Sequence, residues 1–153
     1  MYSKEQASQL RQAFWTAFGQ YMGPIPSAEG LKINWINYKT GVKHIYFRMQ
    51  AETKSAGISI DIAHPDLELQ ELFFEQFLTY KNILHATLAE NWEWQLHTTD
   101  EYGKTISRIY KEISSVSIYQ QSDWSQLISF FKPRIIALDE FWSDVKYAFG
   151  VSV

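Results

Sequence analysis

Apolar and polar positions alternate at two distinct periods along this chain, and the switches between them outline its elements. From Ser3 to Met22 the apolar positions Ala7, Leu10, Phe14, Ala17/Phe18 and Tyr21 fall at helical spacing behind a polar cap. Gly23-Pro24 and Pro26 end that helix, because proline offers no N–H and disfavours helix in the residue before it. The period then drops to two. Lys32 to Met49 (KINWINYKTGVKHIYFRM) reads as two strands joined at Tyr38-Lys39-Thr40-Gly41, with the glycine in the left-handed position of a turn. Ile33, Trp35 and Asn37 share one face of the first strand. In the second, Ile45, Phe47 and Met49 oppose His44, Tyr46, Arg48 and Gln50. After a loop at Glu52 to Ala56, Ile58, Ile60 and Ile62 alternate with Ser59, Asp61 and Ala63 in a further strand.

His64-Pro65-Asp66 marks a return to helical spacing. Leu69, Leu72/Phe73, Phe77, Tyr80, Leu84 and Leu88 predict one central helix from Leu67 to about Asn91. Trp92, Trp94 and Leu96 against Glu93, Gln95 and His97 restore the strand period. Asp100 to Gly103 supplies a turn, and Thr105 to Ile113 returns. Ser114 to Gln120 is either a bent continuation of that strand or a third short one. Ser122-Asp123 is a cap for a last helix, in which Trp124, Ile128, Phe131, Ile135, Leu138, Trp142, Val145 and Phe149 alternate spacings of three and four. Pro133 is expected to kink or split it. The expected fold is α+β, in the order α-βββ-α-ββ(β)-α. Helices pack on an antiparallel sheet of five or six strands, since short turns between consecutive strands force antiparallel pairing. A core of Phe14, Trp35, Phe47, Ile60, Phe73, Phe77, Trp94, Leu138 and Trp142 follows from the stripes.

Composition narrows the picture. A chain of 153 residues suits a single domain spanning 1–153. Aromatic residues make up 16%, enough to predict a core rich in large rings. The formal charge is −3, and basic and acidic residues are spread evenly over both halves, so no global charge argument for nucleic acid or membrane arises. Absence of cysteine excludes disulfides and thiolate-bound zinc. The N-terminus lacks an apolar stretch of signal-peptide type, and no apolar run reaches membrane-spanning length, so a cytoplasmic protein is the expectation.

Several stretches together resemble a bacterial family filed as domain of unknown function 4268. They are Phe14-Trp15 and Phe141-Trp142, Trp35 to Gly41 (WINYKTG), His44 with Tyr46-Phe47-Arg48, Trp92 with Trp94, Pro133-Arg134 and Leu138 to Trp142 (LDEFW). The resemblance covers nearly the whole chain. It implies a bacterial cytosolic setting and a domain found alone or at the C-terminus of longer proteins, some with restriction-nuclease-like regions. An extension that could hold a nuclease is not expected here. The family supplies no catalytic residues to carry over.

The local chemistry offers one candidate binding face. Residues 29–54 carry five basic side chains against two acidic ones, with Trp35, Tyr38 and Tyr46 interleaved. Lys39, Lys43, His44, Tyr46 and Arg48 are the candidate residues, since cations neutralise phosphates while rings stack on bases. The competing expectation is a solvated sheet face whose lysines protect an edge, with Arg48 paired to Asp61 on the next strand. Glu52-Thr53-Lys54 spells half of a metal-dependent nuclease motif, but no aspartate precedes it. His44, His64, His85 and His97 lack metal-helix spacing, and Asp139-Glu140 point about 100° apart on a helix. No catalytic constellation, metal site or cofactor motif is visible. The leading expectation is a non-catalytic binding or assembly module whose partner is another protein or a second copy. A nucleic-acid-associated accessory domain and an enzyme with a dispersed site stand as alternatives.

Overall fold

A computed structural model describes residues 2–151. Helix α1 (Lys4–Met22) begins at a capping box: Ser3 Oγ accepts from the Gln6 amide, and Gln6 Oε1 accepts from the Ser3 amide. Residues 23–44 follow without a helix or strand. Strands β1 (Ile45–Ala51) and β2 (Ser55–Ile62) form a hairpin, succeeded by helices α2 (Leu67–Thr79) and α3 (Lys81–Leu88). A second hairpin, β3 (Glu93–Thr99) and β4 (Thr105–Ser114), leads into the long helix α4 (Trp124–Val145). The fold is α+β with one antiparallel sheet of four strands, ordered β1-β2-β4-β3. The two hairpins join through their second strands, with Ile60 opposite Ile109.

All helices that touch the sheet cover one face of it. Ile45 and Phe47 of β1, Ile58, Ile60 and Ile62 of β2 and Ile109 of β4 are buried there. Trp142 of α4 meets Phe47 edge-on at 5.7 Å, and Phe77 of α2 stacks on the same indole. Helix α1 packs on α4, where Phe14 and Phe18 lie against Phe131. Within the expected core, Phe73 and Trp94 are only half-buried. Phe74 takes the inward position on α2, and Trp94 sits on an edge strand.

The structure has four strands where five or six were expected, and it also changes the expected helices. Residues 32–37 are not a strand, because Asn34 Oδ1 accepts from the amides of both Ile36 and Asn37 and bends the chain locally. Their burial does not alternate either: Trp35 is buried between half-buried neighbours two positions away on one side and one on the other. Gly41 does adopt the left-handed conformation, at φ +80°, but it closes a loop rather than a hairpin. The expected helix over residues 67–91 is two helices. At Tyr80 the amide turns back to the Phe77 carbonyl, and the redirection brings Leu84 into the core. Ser114 to Gln120 adds no strand, since Ser115 is left-handed and the chain folds across the first hairpin's turn, with Ser115 N–H donating to Lys54 and Ile118 N–H to Glu52. Helix α4 runs unbroken through Pro133, whose ring is exposed, so the carbonyl left without a partner belongs to the solvent side. Asp123 does not cap α4 with its side chain, which instead accepts from the Ser117 amide.

Candidate functional site

Two places on the molecule concentrate chemistry. The first lies where the loop 23–44 crosses α4. Asp139 is buried on α4 and accepts two hydrogen bonds from that loop, from Tyr38 Oη at 2.6 Å and from the Ala28 amide at 2.7 Å. One turn later the Trp142 indole donates to the Thr40 carbonyl at 2.8 Å, and Lys146 reaches Glu29 at 2.6 Å. Within the loop, the Trp35 indole donates to the Ile25 carbonyl. The stretches WINYKTG and LDEFW, far apart in sequence, thus meet here. Burial, reinforced by Asp139, pushes the Tyr38 phenol well above the ordinary tyrosine range, so it stays protonated and donates. Loop and helix enclose a cavity of about 400 Å³, into which Asp139, Asn34, Asn37 and Lys39 project along with apolar Ile33 and Trp142.

The second place is the face of the sheet that no helix covers. Asp61 of β2 has no solvent exposure, yet it lies on this outer face. Arg108 of β4 grips it with Nε at 2.8 Å and Nη2 at 3.2 Å, while Arg48 of β1 adds a third contact at 3.1 Å. A carboxylate held by a two-pronged guanidinium on one side and a second guanidinium on the other is fully compensated. Arg48 also lies 4.4 Å from the centre of the Tyr46 ring. Beyond Tyr46 and Arg48 the face dips into a groove of about 960 Å³. The groove runs between the start of β1 and the turn joining β3 to β4. Ala63, Pro65, Leu67 and Ile106 give it apolar surface, and Tyr102, the most exposed of the large hydrophobic side chains on the described surface, rises on the far side.

His44 closes one end of this groove. Its backbone is left-handed at φ +72°, its carbonyl accepts from the Ala63 amide, and its ring sits 4.6 Å from that of His64. Desolvation, followed by the nearby His64 and Lys43, lowers the His44 pKa from its usual value. His64 Nδ1 accepts from the Asp66 amide, just ahead of the N-terminus of α2, where Asp66 caps the first turn.

The five candidate residues divide between these places. His44, Tyr46 and Arg48 share one wall of the groove, whereas Lys39 belongs to the loop cavity and Lys43 is exposed between them. The expected pairing of Arg48 with Asp61 is present, joined by Arg108, which sequence reasoning did not include. Asp139 was likewise not expected to act. Its signal lay in being the acidic residue on the apolar stripe of α4, beside Leu138 and Trp142. Glu52 stands at the turn of the first hairpin and pairs with Arg11 at 3.4 Å. Among the described residues no three His, Asp or Glu side chains gather in a manner suited to a metal ion, and no helix is long and apolar enough to cross a membrane.

Comparison with known families places residues 10–146 on the model of the domain of unknown function DUF4268, and the chain belongs to that family. No curated protein and no solved structure matches it.

Proposed function

We propose that this member of the DUF4268 family is a non-catalytic binding module of the bacterial cytoplasm whose groove on the bare sheet face holds an extended protein segment. The observation that carries this reading is the groove itself: an apolar floor of Ala63, Pro65, Leu67 and Ile106 between aromatic walls at Tyr46 and Tyr102. Apolar floors between rings suit alternate side chains of an extended peptide. Charge favours the same occupant. Lys104 on the far wall is offset by Asp100 and Glu101, and Arg48 is already committed to Asp61. A groove so balanced suits a near-neutral polypeptide better than a polyanion, whose binding draws on uncompensated cations.

A photoreactive amino acid placed at Tyr102 in living cells tests this, with the same residue at exposed Gln9 on α1 as control. The expected product is one discrete adduct at position 102 that resists nuclease and yields to protease. A synthetic peptide matching the crosslinked segment should bind the purified protein, weaken about tenfold with Tyr46→Ala, and vary little with salt. A nuclease-sensitive adduct with steep salt dependence would transfer the face to nucleic acid. A peptide that binds Tyr46→Ala as well as wild type would remove the groove from the reading.

A further inference from the structure

Buried carboxylates ordinarily face a cation, because an uncompensated charge away from water is costly. Asp61 obeys that rule with two arginines. Asp139 does not: it is only 5% exposed, and its recorded partners, the Tyr38 hydroxyl and the Ala28 amide, are both neutral. Among the described residues no lysine, arginine or histidine forms an ion pair with it. Lys146, which lines the same cavity, is drawn away by Glu29. A carboxylate has room for about four hydrogen bonds, and two are used. Asp139 also lines the 400 Å³ loop cavity, whose volume lies within the range of small-molecule sites. Apolar Ile33 and Trp142 stand beside it, and the polar lining includes Asn34, Asn37 and Lys39 together with Lys146 and Glu29, which neutralise one another as an ion pair.

From this geometry we infer that the loop cavity is a binding site for a small primary amine, its ammonium group seated on Asp139 and its apolar body against Ile33 and Trp142. The ammonium brings the positive charge and the donors that the carboxylate lacks. Lys39 and the two asparagines provide for a carboxylate on the same ligand, so a free amino acid shares the chemistry with a simple alkylamine. This site is separate from the sheet-face groove, and neither proposal depends on the other.

Amide and indole resonances followed by NMR during titration with n-butylammonium, L-leucine and n-butanol test the inference. Butylammonium should move the Trp142 indole and Ala28 amide signals saturably, with a dissociation constant on the order of millimolar as suits so small a ligand. Tighter binding of L-leucine would identify a zwitterionic ligand, and equal binding a simple amine. Butanol, of the same shape without the charge, should leave those signals in place. Asp139→Asn should weaken butylammonium binding by about tenfold or more. Tyr38→Phe keeps the ring and removes a competing donor, so it should tighten binding. Butanol acting like butylammonium, an absence of saturable shifts in the wild type, or Tyr38→Phe weakening the amine would each overturn the proposal.

Discussion

Two aspartates sit in this protein with little or no access to water, and they are held in opposite ways. Asp61 lies on the bare sheet face between Arg48 and Arg108, so its charge is matched by cations from both flanking strands. Asp139 lies under a long loop and is held by a phenol and a backbone amide. The first arrangement is complete in itself and has the character of a structural rivet across three strands. The second anchors the loop but leaves its charge unmatched beside an open cavity. Burial alone therefore says little about what an acidic residue does, and the nature of its partners says more.

The largest expected effect tests whether the Asp139 region depends on the core beneath it. Trp142 forms part of that cavity, stacks on Phe77, meets Phe47 and donates to the Thr40 carbonyl. Trp142→Ala should cost about 3–5 kcal/mol, as other truncations of large buried rings do, and denaturant unfolding measures it. Amide exchange in residues 27–40 should accelerate well before exchange around Asp61. A loss below about 1 kcal/mol would mean that the loop is fixed without α4.

The next effect in size compares the two carboxylates directly. Asp61→Asn removes the anion that both guanidinium groups contact. Both arginines keep some contact with solvent, which tempers the penalty to about 2–3 kcal/mol. Asp139→Asn leaves an oxygen that can still accept from one of its neutral donors and removes an unmatched buried charge, so it should cost no more than about 1 kcal/mol. Parallel urea titrations of the two variants decide the point. Equal losses would show that Asp139 has a cationic environment after all.

Much of this contrast was legible in the sequence for Asp61 and little of it for Asp139, for a physical reason. Strand pairing is set by local turns and alternation, so β1, β2 and their register can be read from IYFRM and GISIDI, and the Arg48–Asp61 pair follows. Arg108 lies on a strand whose neighbour is fixed only by the joining of the two hairpins, a long-range choice that alternation does not encode. Residues 32–37 were misread as a strand because Trp35 and Ile33 imitate a strand face, while the deciding contacts, Asn34 to its own backbone and Trp35 to Ile25, leave no periodic trace. Helical spacing on α4 held from Trp124 to Val145, and Phe149 falls in a 3-10 turn beyond it. The spacing could not show that the acid at position 139 faces inward toward a tyrosine 101 positions earlier.

The smallest expected effect separates the two arginines that share Asp61. Arg108 contributes two hydrogen bonds in a fork and is 20% exposed, while Arg48 contributes one and is 40% exposed. Paired geometry and shielding from water both strengthen such contacts, so Arg108→Ala should cost about 1–2 kcal/mol. The exposed, single contact of Arg48 should be worth within about 0.5 kcal/mol. With Arg108 removed, Arg48 becomes the only cation facing Asp61, and its own contribution should then rise. A double-mutant cycle on the two arginines reads this as coupling, with the double variant losing more than the sum of the single ones. Strict additivity would mean that each arginine meets Asp61 independently. The rivet would then be two separate surface pairs, and Arg48 would be free to turn toward whatever occupies the groove beside Tyr46.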